Sequence, residues 1–146
     1  MQNRNYQQQA IAGMNGVELI VALYDGMVRF LNQAIAATEA GNPQERRIAV
    51  KRVLDILMHL QSRLRMDVGG PAKTLSEFYA AVFALCLEGS RLDAADRFRE
   101  AIHCILNVRE AWQQVAQDSE VRERFAPKVP ALASGAAPVQ QSGWTA

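Results

Sequence analysis

Glycine and proline fall almost entirely outside the stretches of this sequence whose apolar residues recur at helical spacing. That punctuation divides the chain into four long helices. Asn15, with Glu18 three residues later, has the spacing of a capping box and opens the first helix. It runs to about Ala40, where Gly41 supplies a left-handed stop. Asn42 and Pro43 give the second helix its N-cap and first residue, and it continues to about Asp67, before Val68-Gly69-Gly70. Pro71 or Thr74 opens the third, with Glu77 at capping-box distance from Thr74, and Gly89 closes it. Ser90 with Asp93 repeats the start signal for a fourth helix reaching roughly Asp118. No stretch alternates apolar and polar residues as a half-buried strand does. Short connections favour antiparallel neighbours, so the expected fold class is all-α, an antiparallel up-and-down four-helix bundle.

Composition bounds what such a bundle can do. The 146 residues amount to one domain, and 16 Lys and Arg against 15 Asp and Glu leave a formal charge of +1. That balance argues against electrostatic capture of nucleic acid or of an anionic membrane. Hydrophobic residues make up 49% and charged ones 21%, enough to build a core. No apolar run approaches the roughly 18 to 20 residues of a membrane span, and the Gln- and Asn-rich residues 1–10 lack the apolar stretch of a secretory signal. Cys86 and Cys104 have neither metal nor redox spacing and read as buried thiols in a reducing compartment. The expectation is a soluble, cytoplasmic protein with an N-terminal arm (1–14), a helical bundle domain (15–125) and a tail (126–146). The tail is read as disordered because Pro127, Pro130 and Pro138 are spread through Ala, Ser, Gln and Gly. A short helical turn at 121–125 is expected to precede it.

The apolar faces carry the rest. Helix one puts Val17, Ile20, Val21, Tyr24, Met27, Val28, Leu31, Ala34 and Ile35 on one stripe, with Leu19, Leu23 and Phe30 on a second strip beside it. Its polar remainder holds Glu18, Asp25, Arg29, Asn32 and Gln33. Helix four gathers Phe98, Ile102, Ile105, Leu106, Trp112 and Val115. Helix three is the exception, because Phe78 to Leu87 are all apolar. In a four-helix bundle each helix keeps an outward face. Here that face would consist of Glu77, Ala80, Ala84 and Leu87, a shallow surface of small residues. It is either the floor of a groove for a partner helix or a seat for a fifth element such as the N-terminal arm.

Catalytic patterns are sparse. Glu100 and His103 match one Glu-x-x-His element of a di-iron bundle, but His59 has Ile56 where its carboxylate should stand, so a solvated face is the better reading. Neither histidine has a nucleophile at motif spacing, and there is no Cys-x-x-Cys or phosphate-cradling Gly-rich loop. The expectation is a protein that is not an enzyme and holds no metal and no cofactor. The basic second helix, with Arg46, Arg47, Lys51, Arg52, Arg63 and Arg65 against Glu45, Asp55 and Asp67, lacks aromatic interleaving and reads as an ordinary charged face rather than a nucleic-acid contact.

Several features, in order, resemble the FliS-type flagellar export chaperones. They are Tyr6 in a polar arm, Leu23-Tyr24-Asp25-Gly26 followed by Phe30-Leu31 and Ala34, then Gly69-Gly70, Leu75, Tyr79, and Arg109-Glu110-Ala111-Trp112. Asn15-Gly16 stands where that family usually has Ser or Thr followed by Pro. The resemblance implies a cytosolic chaperone that binds the disordered C-terminal segment of flagellin, prevents its premature polymerisation and helps deliver it to a component of the flagellar type III export gate. It also implies that the flagellin segment turns helical around the bundle while the arm, with Tyr6 as a plug, leaves an apolar groove. Together with the apolar faces, it nominates as partner-binding Tyr6, Leu19, Leu23, Tyr24, Asp25, Phe30, Phe78, Tyr79, Ala80, Val82, Phe83, Ala84 and Leu87. Tyr24 and Trp112 are open to a second reading as core. The expected assembly is a monomer or weak homodimer, and the alternative function is a structural module that homodimerises through helix three.

Overall fold

At the ends of the first three helices, and at the start of the second, other groups satisfy the backbone N–H and C=O groups that a helix end leaves free. In a computed structural model of the protein, which describes residues 16–64 and 71–125 with side chains as far as 118, the helices are α1 (Gly16–Glu39), α2 (Pro43–Ser62), α3 (Pro71–Leu92) and α4 (Ala95–Phe125). No strand occurs among the described residues. The arm, the Gly69-Gly70 connection and the tail lie outside them. The chain forms two units, one up to Ala116 and one from Gln117 onward; the bundle is the first.

The connection from α1 to α2 follows the sequence. Gly41 takes φ 70°, Asn42 N–H reaches back to the Ala37 carbonyl at 2.8 Å, and Gly41 N–H reaches Thr38 at 3.1 Å. Asn42 then accepts the Glu45 N–H on its side chain at 3.1 Å, with Pro43 in the first helical turn.

The other boundaries differ from expectation. α2 ends at Ser62, not Asp67. The N–H groups of Arg63 and Leu64 bond to carbonyls only three residues back, and Ser62 Oγ donates to the His59 carbonyl, so the last turn tightens and stops. α3 runs straight through Gly89. That glycine is buried against the Phe98 ring, and a Cβ there would lie 2.7 Å from Phe98 Cε1, so it permits close helix packing rather than ending the helix. The left-handed stop belongs to Asp93, at φ 57°, after which Ala94 N–H reaches back to the Gly89 carbonyl at 3.0 Å. Asp is one of the few side chains that tolerate this region. Ser90 and Asp93 therefore end α3, and α4 opens at Ala95. It continues as one helix to Phe125, past the expected end near Asp118.

Contacts between helices set the topology. Gly26 and Phe30 of α1 meet Ile56 and Arg52 of α2, Gln61 of α2 bonds Ser76 of α3, and Arg46 pairs with Asp93 at the opposite end of that seam. Gly89 of α3 meets Phe98 of α4 and Leu75 of α3 shares a groove with Trp112, while Glu39 and Asp25 of α1 pair with Arg99 and Arg109 of α4. In every seam rising numbers meet falling ones, so all four neighbouring pairs are antiparallel and the up-and-down bundle is closed. Tyr24, Met27, Leu31, Val53, Leu57, Val82, Cys86, Phe98 and Ile105 fill its centre with essentially no exposure. Each of the larger ones contributes about 1.5–3 kcal/mol of burial.

The main α1 stripe is core as expected from Tyr24 to Ile35. By length and composition alone α1 is also apolar enough to cross a membrane, contrary to the expectation that no segment approaches this; its apolar side is taken up by the bundle. On α4, Leu106 and Val115 are exposed rather than part of the stripe, and Ala101 holds a core position.

Candidate functional site

The two sequence elements at Leu23–Gly26 and Arg109–Trp112 meet across the α1–α4 seam. The Trp112 indole N–H donates to the Tyr24 oxygen at 3.2 Å, and that oxygen shares a 2.8 Å hydrogen bond with the Tyr79 hydroxyl of α3. One residue along, Arg109 grips both Asp25 oxygens, at 2.5 and 3.3 Å. Gly26 faces the other way, with Ile56 Cδ1 3.4 Å from where its Cβ would be, so α1 sits tightly on α2. Burial raises the pKa of both tyrosines, which keeps the phenols neutral and the three-residue chain intact at physiological pH. Phe78 leans on both rings, its centroid 6.2 Å from Tyr24 and 5.3 Å from Tyr79. The motif is thus a clasp that holds three helices in register.

Apolar concavities surround that clasp, three of them formed by described residues. The first, about 320 Å³, opens at the end of the bundle where α1 and α3 begin and α2 ends. Gly16, Leu19, Ile20, Leu23, Leu60, Leu64, Ala72, Leu75, Tyr79 and Trp112 line it, with Arg63 on the rim. The second, about 270 Å³, lies between α2 and α3 and is lined by Leu57, Met58, Gln61, Tyr79, Ala80 and Phe83. The third, about 520 Å³, is an open groove between α3 and α4, lined by Pro71, Thr74, Leu75, Val108, Ala111, Trp112 and Val115. Leu75 and Trp112 form a wall common to the first and third, and Tyr79 one common to the first and second. The clasp therefore supplies the partitions of one nearly continuous apolar surface around α3. No group of three or more potential metal ligands occurs among the described residues.

The nominated residues distribute unevenly over this surface. Leu19, Leu23 and Tyr79 line the end cavity, and Tyr79, Ala80 and Phe83 line the α2–α3 cavity. Ala84 and Leu87 are exposed on the outward face of α3 together with Glu77 and Ala80, the face the helical wheel selects. Tyr24 and Val82 have no exposure and sit in the core. Asp25 is committed to Arg109, and Phe78 to the aromatic cluster. Phe30 lies apart, on the α1–α2 seam between Arg29 and Arg52. Tyr6 lies outside the described residues. Glu100 and His103 are exposed, Glu100 beside Arg97 and His103 beside Asn107.

Sequence reasoning missed the walls supplied by α2 and α4. Met58 is 63% exposed at the second cavity, and Val108, Ala111 and Val115 floor the third. The available signal was an apolar residue off the main stripe of an otherwise polar helix, as at Met58. Trp112, half-buried, is both clasp and cavity wall.

Comparison with known proteins gives a family match and a named relative. Residues 1–119 match the family described as flagellar protein FliS. A protein named flagellar secretion chaperone FliS, from Campylobacter jejuni subsp. jejuni serotype O:6, is 30% identical over 128 residues, covering 84% of this chain and all of that relative.

Proposed function

The chain belongs to the FliS family of flagellar proteins, a family of secretion chaperones rather than enzymes, and from that premise we propose that it binds the disordered C-terminal segment of flagellin in the cytosol. Bound there, the segment is kept from polymerising early and is passed to a component of the flagellar type III export gate. The observation that carries this reading is the run of three adjoining apolar concavities around α3, joined through Leu75, Tyr79 and Trp112. An unfolded segment that gains helicity while burying on the order of 1,000 to 3,000 Å² suits such a surface. Side chains spaced along the segment enter successive concavities, and the outward Ala80 and Ala84 allow a helix to approach closely.

Gly16, where α1 begins, is part of the end cavity's lining. In this reading the arm covers that cavity in the free protein, with Tyr6 as its plug, and yields to the partner. Calorimetric titration of the full chain with a flagellin C-terminal peptide tests the core of the proposal. Expected are a large negative heat-capacity change and a gain of helical circular dichroism. No heat and no spectral change at tens of micromolar would rule it out. Deleting residues 1–10 is expected to tighten peptide binding or induce self-association.

A second reading rests on the exposed Ala80, Ala84 and Leu87 of α3: the same face forms a homodimer in the absence of a partner. A concentration-dependent dimer that Ala84→Glu abolishes supports it, and a monomer at all concentrations counts against it.

A further inference from the structure

On the seam between α1 and α2, away from the three cavities, two guanidinium groups converge on one aromatic ring. The Arg29 Cζ lies 4.9 Å and the Arg52 Cζ 5.5 Å from the Phe30 ring centroid. Neither arginine has a carboxylate partner among the described residues. The acids that could have neutralised them are engaged elsewhere: Asp25, one turn before Arg29, is held by Arg109, and Asp55, three residues after Arg52, faces Lys51 at 3.3 Å. Two like charges are thus gathered over one ring with no carboxylate paired to either among the described residues, and the ring restrains both side chains.

We propose that this seam is a second docking surface, for an acidic, amphipathic helical segment of a protein partner, separate from the surface around α3. A guanidinium matches a carboxylate with two parallel hydrogen bonds, and one already restrained on an aromatic face loses little freedom in doing so. The seam also offers apolar contact. Phe30 is half-buried, and Ile48, one turn before Arg52 on α2, is 45% exposed. Cations beside an apolar centre fit a helix that carries carboxylates with an aliphatic side chain between them. A nucleic acid fits less well, because the chain carries a net charge of only +1. None of these residues lines the cavities around α3, so both surfaces can be occupied at once.

The test uses the full chain and a fluorescein-labelled synthetic helical peptide with two glutamates two turns apart and a leucine midway, alongside its Gln analogue. Anisotropy should show the Gln analogue binding about tenfold more weakly. Arg29→Gln and Arg52→Gln should each weaken the Glu peptide by a similar factor with unchanged thermal melts, and Arg52→Lys should not restore it, because an ammonium lacks the planar fork. Arg47→Gln, which removes an exposed cation elsewhere on α2, should leave binding unchanged. Equal affinity for both peptides overturns the proposal. So does undiminished binding by the Arg29→Gln, Arg52→Gln double variant, or an equal loss with Arg47→Gln, which would mark a diffuse field. A single-stranded RNA of matched length binding more tightly than the Glu peptide at the same salt would assign the seam to nucleic acid instead.

Discussion

The two sides of α3 draw on the same apolar run and meet opposite fates. The inner side, Tyr79, Val82, Cys86 and Gly89, is buried against α1, α2 and α4. The outer side, Glu77, Ala80, Ala84 and Leu87, faces solvent. Hydrophobicity does not separate them; neighbours do. The inner positions are shaped to their contacts: a hydroxyl aimed at Tyr24, a glycine fitted under Phe98. The outer positions are mostly small, which keeps the exposed apolar area shallow while leaving room for a helix to lie close. A substitution on the inner side is therefore expected to register as lost stability, and one on the outer side as lost binding.

The largest effect should come from the partner of the inner face. Phe98→Ala empties the fully buried site beside Gly89 and should cost about 3–5 kcal/mol in urea unfolding. A smaller loss would mean that α3 and α4 close over the cavity. Gly89→Ala should cost about 1–3 kcal/mol through overpacking, even though alanine favours helix by up to about 1 kcal/mol. If this variant were stabilised, the close approach of Phe98 would be wrong. Tyr24→Phe removes both the acceptor for Trp112 and the partner of Tyr79, and should cost about 1–3 kcal/mol; Tyr79→Phe leaves Tyr24 bonded to Trp112 and should cost nearer 1 kcal/mol.

Alkaline pH probes the same inner face. Burial pushes the Cys86 thiol up from 9.0 to about 12, and raises both tyrosines above 10.0. The folded state then holds protons that the unfolded chain has already released. The associated stability is intact below about pH 9 and is lost as pH climbs from about 9 toward 12. Cys86→Ala should flatten the first part of that decline; an unchanged slope would show that the thiol is not its source. The smallest stability change belongs to the outer face: Ala84→Glu should shift unfolding by less than about 0.5 kcal/mol while it weakens the flagellin peptide at least about tenfold. Equal affinity would move the binding surface off this face.

Much of this was legible in the residues. The Gly41–Asn42–Pro43 turn worked as read because each of its bonds spans only a few positions. Gly89 was misread as a helix stop because its role depends on Phe98, a side chain of the next helix. Asp93 was misread as a helix start because Asp serves equally as an N-cap and as a left-handed C-terminal residue, and only the chain's path distinguishes the two. For the site, the outward quartet of α3 followed from periodicity, whereas Tyr24 and Val82 proved to be core and Met58, Val108 and Ala111 proved to be walls. Exposure on a helix that is apolar all round cannot be assigned until its neighbours are placed.

The sequence by itself determined four helices, their approximate limits, their antiparallel order and the stripe of α1 that becomes core. These depend on hydrogen bonds and side-chain spacing within a turn or two, where chemistry and chain position coincide. The tertiary structure alone decided that Leu23–Gly26 meets Arg109–Trp112, that Tyr79 completes the chain of hydrogen bonds, and that three concavities share their walls. Those features join residues 55 to 88 positions apart. They depend on how far one helix slides along another, a quantity that local periodicity leaves free and that close packing settles.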